Sequence, residues 1–469
     1  MKDSFNNTPR RAHALDALRG YAIATMILAA MEAWHILPAW MYHAQVPPPD
    51  HVFSPNIYGI TWVDLIFPFF LFSMGAAIPL SLGRQFEKGV KRWQLAWKSV
   101  QRGLKLAFFA IFIMHAFPYM LGYEQDWLRY VVPMGAFVLL CLMFIPNPFH
   151  LPKYGEMAVK WGAYIAATAL MLLQPYADGA TFRLTDSDII MLILSNIAVT
   201  GAVIYLLTIR QPLARIAVIP IITAIFMAGH TDGAWTTELL KLSPAPWLFQ
   251  IPYQEYLLII IPGTVAGEWI SGWLKEEKRE SDFHNAWLVA LLALAIIVCN
   301  VIFLFSRDLI INLLSTIILS AALGWILRNA GSGNAFWLKL WKGGAYLLLL
   351  GLCLEAYEGG IRKDDVTLSY LFVTCGMAFL ALLFFSVICD HYHVKWISRP
   401  LEQVGKNPMV AYVSSSLAVI PFLMLTQLYP LLESVTQQPL LGFLRGVLLT
   451  ALCMGLTSWF TYKKYFWKT

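Results

Sequence analysis

The residues best suited to chemistry sit in one stretch, Pro47 to Gly75. Its first half is a proline-stiffened polar loop carrying a titratable His51. Its second half is a long apolar run with a single carboxylate, Asp64, in its first turn or two. An acid entering a membrane helix is costly and marks a functional site by default. A helix N-terminus lowers that cost, because its free N–H groups and dipole favour negative charge. A carboxylate can also hold an imidazole in one tautomer and stabilise its cation, as a general base or an acyl carrier requires. The expected pair is therefore His51 with Asp64, and His43 is the nearest competitor for the imidazole. The structural alternatives are an interfacial His51 and an Asp64 that only caps its own helix.

Composition fixes the class of scaffold. The chain of 469 residues is 58% hydrophobic and only 13% charged, against roughly 25% charged in soluble domains. A chain so apolar and so long is a multi-span membrane protein. Its 29 Phe, 20 Tyr and 18 Trp suit many membrane–water interfaces. The net charge of +6 does not indicate nucleic acid, because the basic residues alternate from loop to loop instead of forming one patch. Cysteines 141, 299, 353, 375, 389 and 453 show no CxxC pair, which argues against a disulfide framework and a zinc site; no metal is expected. Arg10 and Arg11 precede an apolar run without a small-residue cleavage site, so the run reads as a retained span.

Apolar windows of about 17–25 residues follow one another along the chain. They lie near 15–36, 60–82, 103–121, 128–146, 157–174, 188–208, 213–229, 255–273, 285–305, 309–327, 341–356, 366–388, 408–428 and 440–461. The expected fold is an all-α polytopic transmembrane helix bundle of about 12–14 spans, a single integral-membrane domain over 1–469. Motifs concentrate in 10–120 and again in 250–430. One set of loops holds Arg84, Lys88, Lys91, Arg92, Lys98, Lys275, Lys395, Arg399, Lys463 and Lys464; the alternate loops are poor in Lys and Arg. Both termini are then cytoplasmic by the positive-inside rule, and the His51 loop, which has no Lys or Arg between Gly20 and Gly59, faces outward.

Other candidates are weaker. Of the ten histidines, His35, His43, His51, His115 and His230 fall near the outer side. Asp16 and Arg19 are at i, i+3 and either pair with each other or leave Arg19 for a phosphate. The basic loop from Arg84 to Arg102 serves topology and also suits the phosphates of a nucleotide-bearing donor, although no GxGxxG or GxxxxGK[ST] loop is present. The turn Glu358-Gly359-Gly360-Ile361-Arg362-Lys363-Asp364 places charges on the basic-poor side. Glu358, Lys363 and Asp364 there suit a carbohydrate or form a solvated turn with internal ion pairs. Asn407, opening an apolar helix, either caps it or bonds to a cofactor.

The residues Leu15-Asp16-Ala17-Leu18-Arg19-Gly20, His51, Gly59-Ile60-Thr61-Trp62-Val63-Asp64-Leu65-Ile66-Phe67-Pro68-Phe69-Phe70-Leu71-Phe72 and Met74-Gly75 resemble the heparan-α-glucosaminide N-acetyltransferase family. Gly263-Thr264-Val265-Ala266-Gly267 and Val404-Gly405-Lys406-Asn407-Pro408 follow in the same order. The resemblance implies transmembrane acetylation of a sugar or glycan acceptor by cytosolic acetyl-CoA, in a multi-pass protein of a bacterial inner membrane. It places His51 as the essential histidine and Asp64 as the motif's acid; Arg19 and Asn407 are the further candidates for contact with the cofactor. The partners implied are the acceptor, acetyl-CoA and the lipid bilayer, with a homodimer left open. The alternative class is a transporter or flippase of a glycan or lipid-linked sugar; the absence of matching halves in the sequence leans against it. A non-catalytic relative is the third reading.

Overall fold

The computed structural model describes residues 11–33, 35–229, 231, 233–243, 245–276, 285–329, 334–434 and 438–467. The protein is an all-α polytopic bundle, and no strand occurs among the described residues. Twelve of the described helices are long and apolar enough to cross a membrane. Two more helices, one shorter and one with a basic first half, complete a one-to-one match with the fourteen windows. In chain order they are α1 (His13–Met31), α2 (Val63–Glu87), α3 (Arg92–Ala116), α4 (Leu128–Phe144), α5 (Lys153–Leu173), α6 (Ile189–Leu207) and α7 (Pro212–Gly229). There follow α8 (Pro252–Lys275), α9 (Ala286–Ser306), α10 (Leu309–Asn329), α11 (Ala335–Glu358), α12 (Leu368–His391), α13 (Pro408–Leu425) and α14 (Pro439–Tyr462).

Some boundaries differ from expectation. The α1 helix stops at Met31, because Glu32 is already extended (φ −63°, ψ 151°) and His35 takes a left-handed φ of 68°. The α3 helix begins at Arg92, so Lys98 and Arg102 lie on a helix and not in a loop. Long basic side chains reach water from such positions while their stems cover apolar surface.

The bundle has a centre. In α12, 89% of the apolar window is buried, against 17% in α5 and 11% in α7. Lipid gives helices no hydrophobic reason to associate, so close backbone approach and polar ties must hold them. The motif glycines supply the approach. A Cβ on Gly75 would come 2.5 Å from the Ile260 carbonyl oxygen, and one on Gly263 2.6 Å from that of Phe72. Gly267 lies against the Ala76 carbonyl in the same contact, so α2 and α8 touch through their backbones. Gly20 of α1 and Gly405, in the short helix Lys395–Gly405, meet in the same way against Leu401 and Asp16. Polar ties include Arg215 of α7, fully buried, whose Nη2 donates to Glu268 of α8 at 2.8 Å. Asn300 of α9 donates to Thr316 of α10 at 2.9 Å.

Candidate functional site

The loop between α1 and α2 is folded back on the start of α2. Thr61 Oγ1 donates to the Tyr42 carbonyl at 2.7 Å, and the Ala44 N–H donates to Asp64 Oδ2 at 3.3 Å. These bonds bring residues 42–44 against Asp64. The Asp64 side chain is fully buried, and its Oδ2 also accepts the Thr61 N–H at 2.9 Å. Asp64 therefore ties Thr61, just before its own helix, to the first turn; its side chain accepts no cap hydrogen bond from within that helix, contrary to the capping alternative. It does more than that, because Oδ1 lies 2.7 Å from His43 Nδ1.

The imidazole beside the buried acid is thus His43, and the expected pairing of Asp64 with His51 is corrected. His51 lies at the tip of the loop with a left-handed φ of 49°. Its Nε2 accepts the backbone N–H of His35 at 3.2 Å. Its ring packs edge-on to those of His35 and Tyr42, with centroids 4.8 and 4.6 Å apart. Burial and the neighbouring His35 hold its pKa below the ordinary imidazole value. Of the remaining histidines on this side, His115 is buried with Nδ1 2.8 Å from the Ile111 carbonyl oxygen, a packing role. His230 and His284 lie outside the described residues.

His43 forms part of the wall of an apolar chamber of about 370 Å³. Met26, Ala29 and Ala30 of α1, Phe67 and Phe70 of α2, Ile190, Met191 and Leu194 of α6, and Met409 of α13 supply its apolar surface. Polar atoms come from Tyr42, His43, Lys363 and Tyr412. The Tyr412 hydroxyl is already committed, donating to Asp188 Oδ2 at 2.8 Å.

Of the Glu358–Asp364 turn, Lys363 alone reaches the imidazole. Its Nζ is 3.1 Å from His43 Nδ1 and 3.4 Å from Nε2. The turn is strapped to the loop before α2: the Gly59 N–H donates to the Ile361 carbonyl, and Arg362 Nη1 to that of Pro55. Glu358 has a structural task, since its two oxygens accept the Leu368 and Ser369 N–H groups at 2.8 and 2.9 Å and close the free end of α12. Asp364 is half-buried and close to Tyr256 and Tyr370.

The two candidate cofactor residues are engaged with the protein itself. Arg19 donates to the carbonyls of Gly405 and Ser73, each at 3.3 Å, and so locks α1 to two neighbours. Its distance to Asp16 is 3.8 Å, while Asp16 pairs more closely with Arg11 at 2.6 Å. Asn407 donates to the Tyr465 carbonyl at 2.8 Å and accepts the Trp467 N–H at 3.3 Å, which fastens the segment after α14. Its side chain makes no cap of α13. Arg19 and Asn407 thus each have partners inside the protein, and neither lines the apolar chamber. Sequence reasoning passed over Glu32, the lone acid that follows α1; a single carboxylate at the end of an apolar span was the available signal.

A comparison with curated proteins finds no match. A family model does match residues 11–270, more than half of the chain. That region contains His43, His51 and Asp64 but not Lys363, so the chamber joins a side chain from beyond the matched region to a pair within it. The chain belongs to the family described as a domain of unknown function, DUF5009.

Proposed function

We propose that this protein is an integral-membrane acyltransferase, moving an acetyl group from cytosolic acetyl-CoA to the amine or hydroxyl of an extracytoplasmic sugar or glycan. The observation that carries the reading is the His43–Asp64 pair, the acid buried behind the imidazole, at the wall of the apolar chamber with Lys363 beside it. Asp64 takes the Nδ1–H of His43, which leaves Nε2 with its lone pair as a general base. The acceptor's amine or hydroxyl attacks the thioester carbonyl, and its proton passes to Nε2. The Lys363 ammonium stabilises the oxyanion of the tetrahedral intermediate. Collapse of that intermediate breaks the C–S bond. The departing thiolate takes the proton back from His43, so acid–base balance is restored and the free thiol leaves.

The positive-inside pattern supports the directions of approach, with both termini read as cytoplasmic; a bacterial inner membrane is part of the proposal. One turn from Ala22 and Ile23 of the chamber stands Arg19, with Arg102 near it on α3. Two cations on that side favour approach of an anionic donor.

Purified protein in nanodiscs, labelled acetyl-CoA and an amine such as glucosamine test the reading. Transfer and acetyl-CoA-dependent thermal stabilisation are expected in the wild type, and transfer is lost in His43→Ala. If neither transfer nor stabilisation occurs at millimolar acetyl-CoA, the acyltransferase reading fails and a transporter or scaffold takes its place.

A further inference from the structure

A second cavity lies where α1 ends, away from the basic loops, and the acyl-transfer reading leaves it unused. It is a half-open cavity of about 260 Å³ between the end of α1, the helix Leu428–Ser434 and the first turns of α14. At about 30 Å³ per water, that is room for roughly eight or nine waters. The cavity suits a molecule of headgroup size.

Its polar lining is Glu32, His35, Tyr429, Glu433 and Arg445. Glu32 is 2% exposed, and neither of its carboxylate oxygens meets a hydrogen-bond donor among the described residues. A buried carboxylate without donors carries a desolvation cost, and nothing among the described residues offsets it here. Arg445 Nε is likewise without a partner among the described residues, and the guanidinium lies over the Tyr429 ring at 5.9 Å. An orphaned acid and an orphaned guanidinium nitrogen thus occupy the walls of one small cavity. The acid calls for N–H donors, and the Arg445 Nε–H for an acceptor, in a cavity that the Glu433 carboxylate also lines.

We propose that this cavity binds a small zwitterionic group, with Glu32 receiving a primary ammonium and Arg445 the anion attached to it. A phosphoethanolamine headgroup and a free amino acid share that chemistry. A quaternary ammonium does not, because it has no N–H to give. The site is independent of the acyl-transfer reading, although Ala30 forms part of both cavities.

Burial raises the Glu32 carboxyl to about 8, so the empty cavity holds a proton there at pH 7. Ammonium binding expels that proton. The other titratable and charged groups around Glu32 are His35 and Tyr42 from the segment after α1, Tyr429 and Glu433 from Leu428–Ser434, and Arg445 from α14.

Calorimetry on the full protein in phosphatidylglycerol nanodiscs is the test, with glycerophosphoethanolamine, glycine and glycerophosphocholine as probes. The first two bind and the third does not. Affinity rises about tenfold from pH 6 to 7 and levels off above 8, with release of a proton on binding. Glu32→Gln, close to isosteric, lowers affinity at least about tenfold and removes the pH slope, and Arg445→Gln lowers it by a similar factor. Phosphatidylethanolamine in the nanodisc abolishes the binding of soluble probes if the lipid is the source, and leaves it if the source is soluble. Wild-type affinity in Glu32→Gln, equal binding of glycerophosphocholine, or no binding of either zwitterion at 10 mM (about −2.7 kcal/mol or weaker) would overturn the proposal.

Discussion

At the scale of single residues, the test falls on two imidazoles eight positions apart in the sequence. His43 stands 2.7 Å from a buried acid, and His51 stands against His35 and Tyr42. On the acyl-transfer proposal, His43→Ala lowers labelled-acetyl transfer by about 10²–10⁴-fold, while His51→Ala in equally folded protein lowers it less than about threefold. The reverse order would return the role to His51. Lys363→Met lowers transfer by about 10²-fold with little change in acetyl-CoA binding, as expected for a group that acts on the oxyanion. Glu32 gives a prediction about stability. Its carboxyl rises from 4.5 to about 8 on burial, so between those values the folded protein binds more protons than the unfolded chain. Stability at Glu32 is therefore lost as pH rises through that window. Glu32→Gln is expected to melt higher than wild type at pH 8.5 and close to it at pH 5. A difference independent of pH would show that Glu32 is not protonated in the fold.

At the scale of elements, two motif residues that looked like cofactor or sugar contacts hold the chain together. Glu358 closes the N-terminus of α12, the most buried span. Its replacement by Ala is expected to cost about 1–2 kcal/mol, read as a lower melting temperature. Asn407 fastens the segment carrying Tyr465 and Trp467. Asn407→Leu should expose Lys463 and Lys464 to trypsin well before the rest of the chain unfolds; unchanged cleavage would show that the segment is held elsewhere. The glycines of Gly263-Thr264-Val265-Ala266-Gly267 and Met74-Gly75 set the contact of α2 with α8. Periodicity in the sequence shows where those helices are. It does not show that their backbones touch, because a glycine is equally suited to a turn, a bend or a contact.

At the scale of the molecule, the alternation of basic and basic-poor loops gives the bundle its proposed orientation. Cysteine placed at Lys88 or at Asp126 in a background without other cysteines should react with an impermeant maleimide from opposite faces of intact cells. Labelling from one face would break the proposed sidedness, and with it the route from cytosolic thioester to outer acceptor. The fourteen apolar windows each found a helix because hydropathy over a bilayer's thickness is a local property, legible in any stretch of about twenty residues. The acid Asp64 was legible for the same reason: a charge at the start of an apolar run stands out against its neighbours. Its partner was not. The choice of His43 over His51 depends on the loop folding back through Thr61, Tyr42 and Ala44, and on Lys363 arriving from a turn some three hundred residues away. Those are distances across space between side chains that share no sequence period. The sequence by itself determined a membrane bundle with an acid at the head of its second span. Only the tertiary structure decided which imidazole meets that acid, which charges are consumed in holding helices together, and that Glu32 is left buried without a hydrogen-bond donor among the described residues.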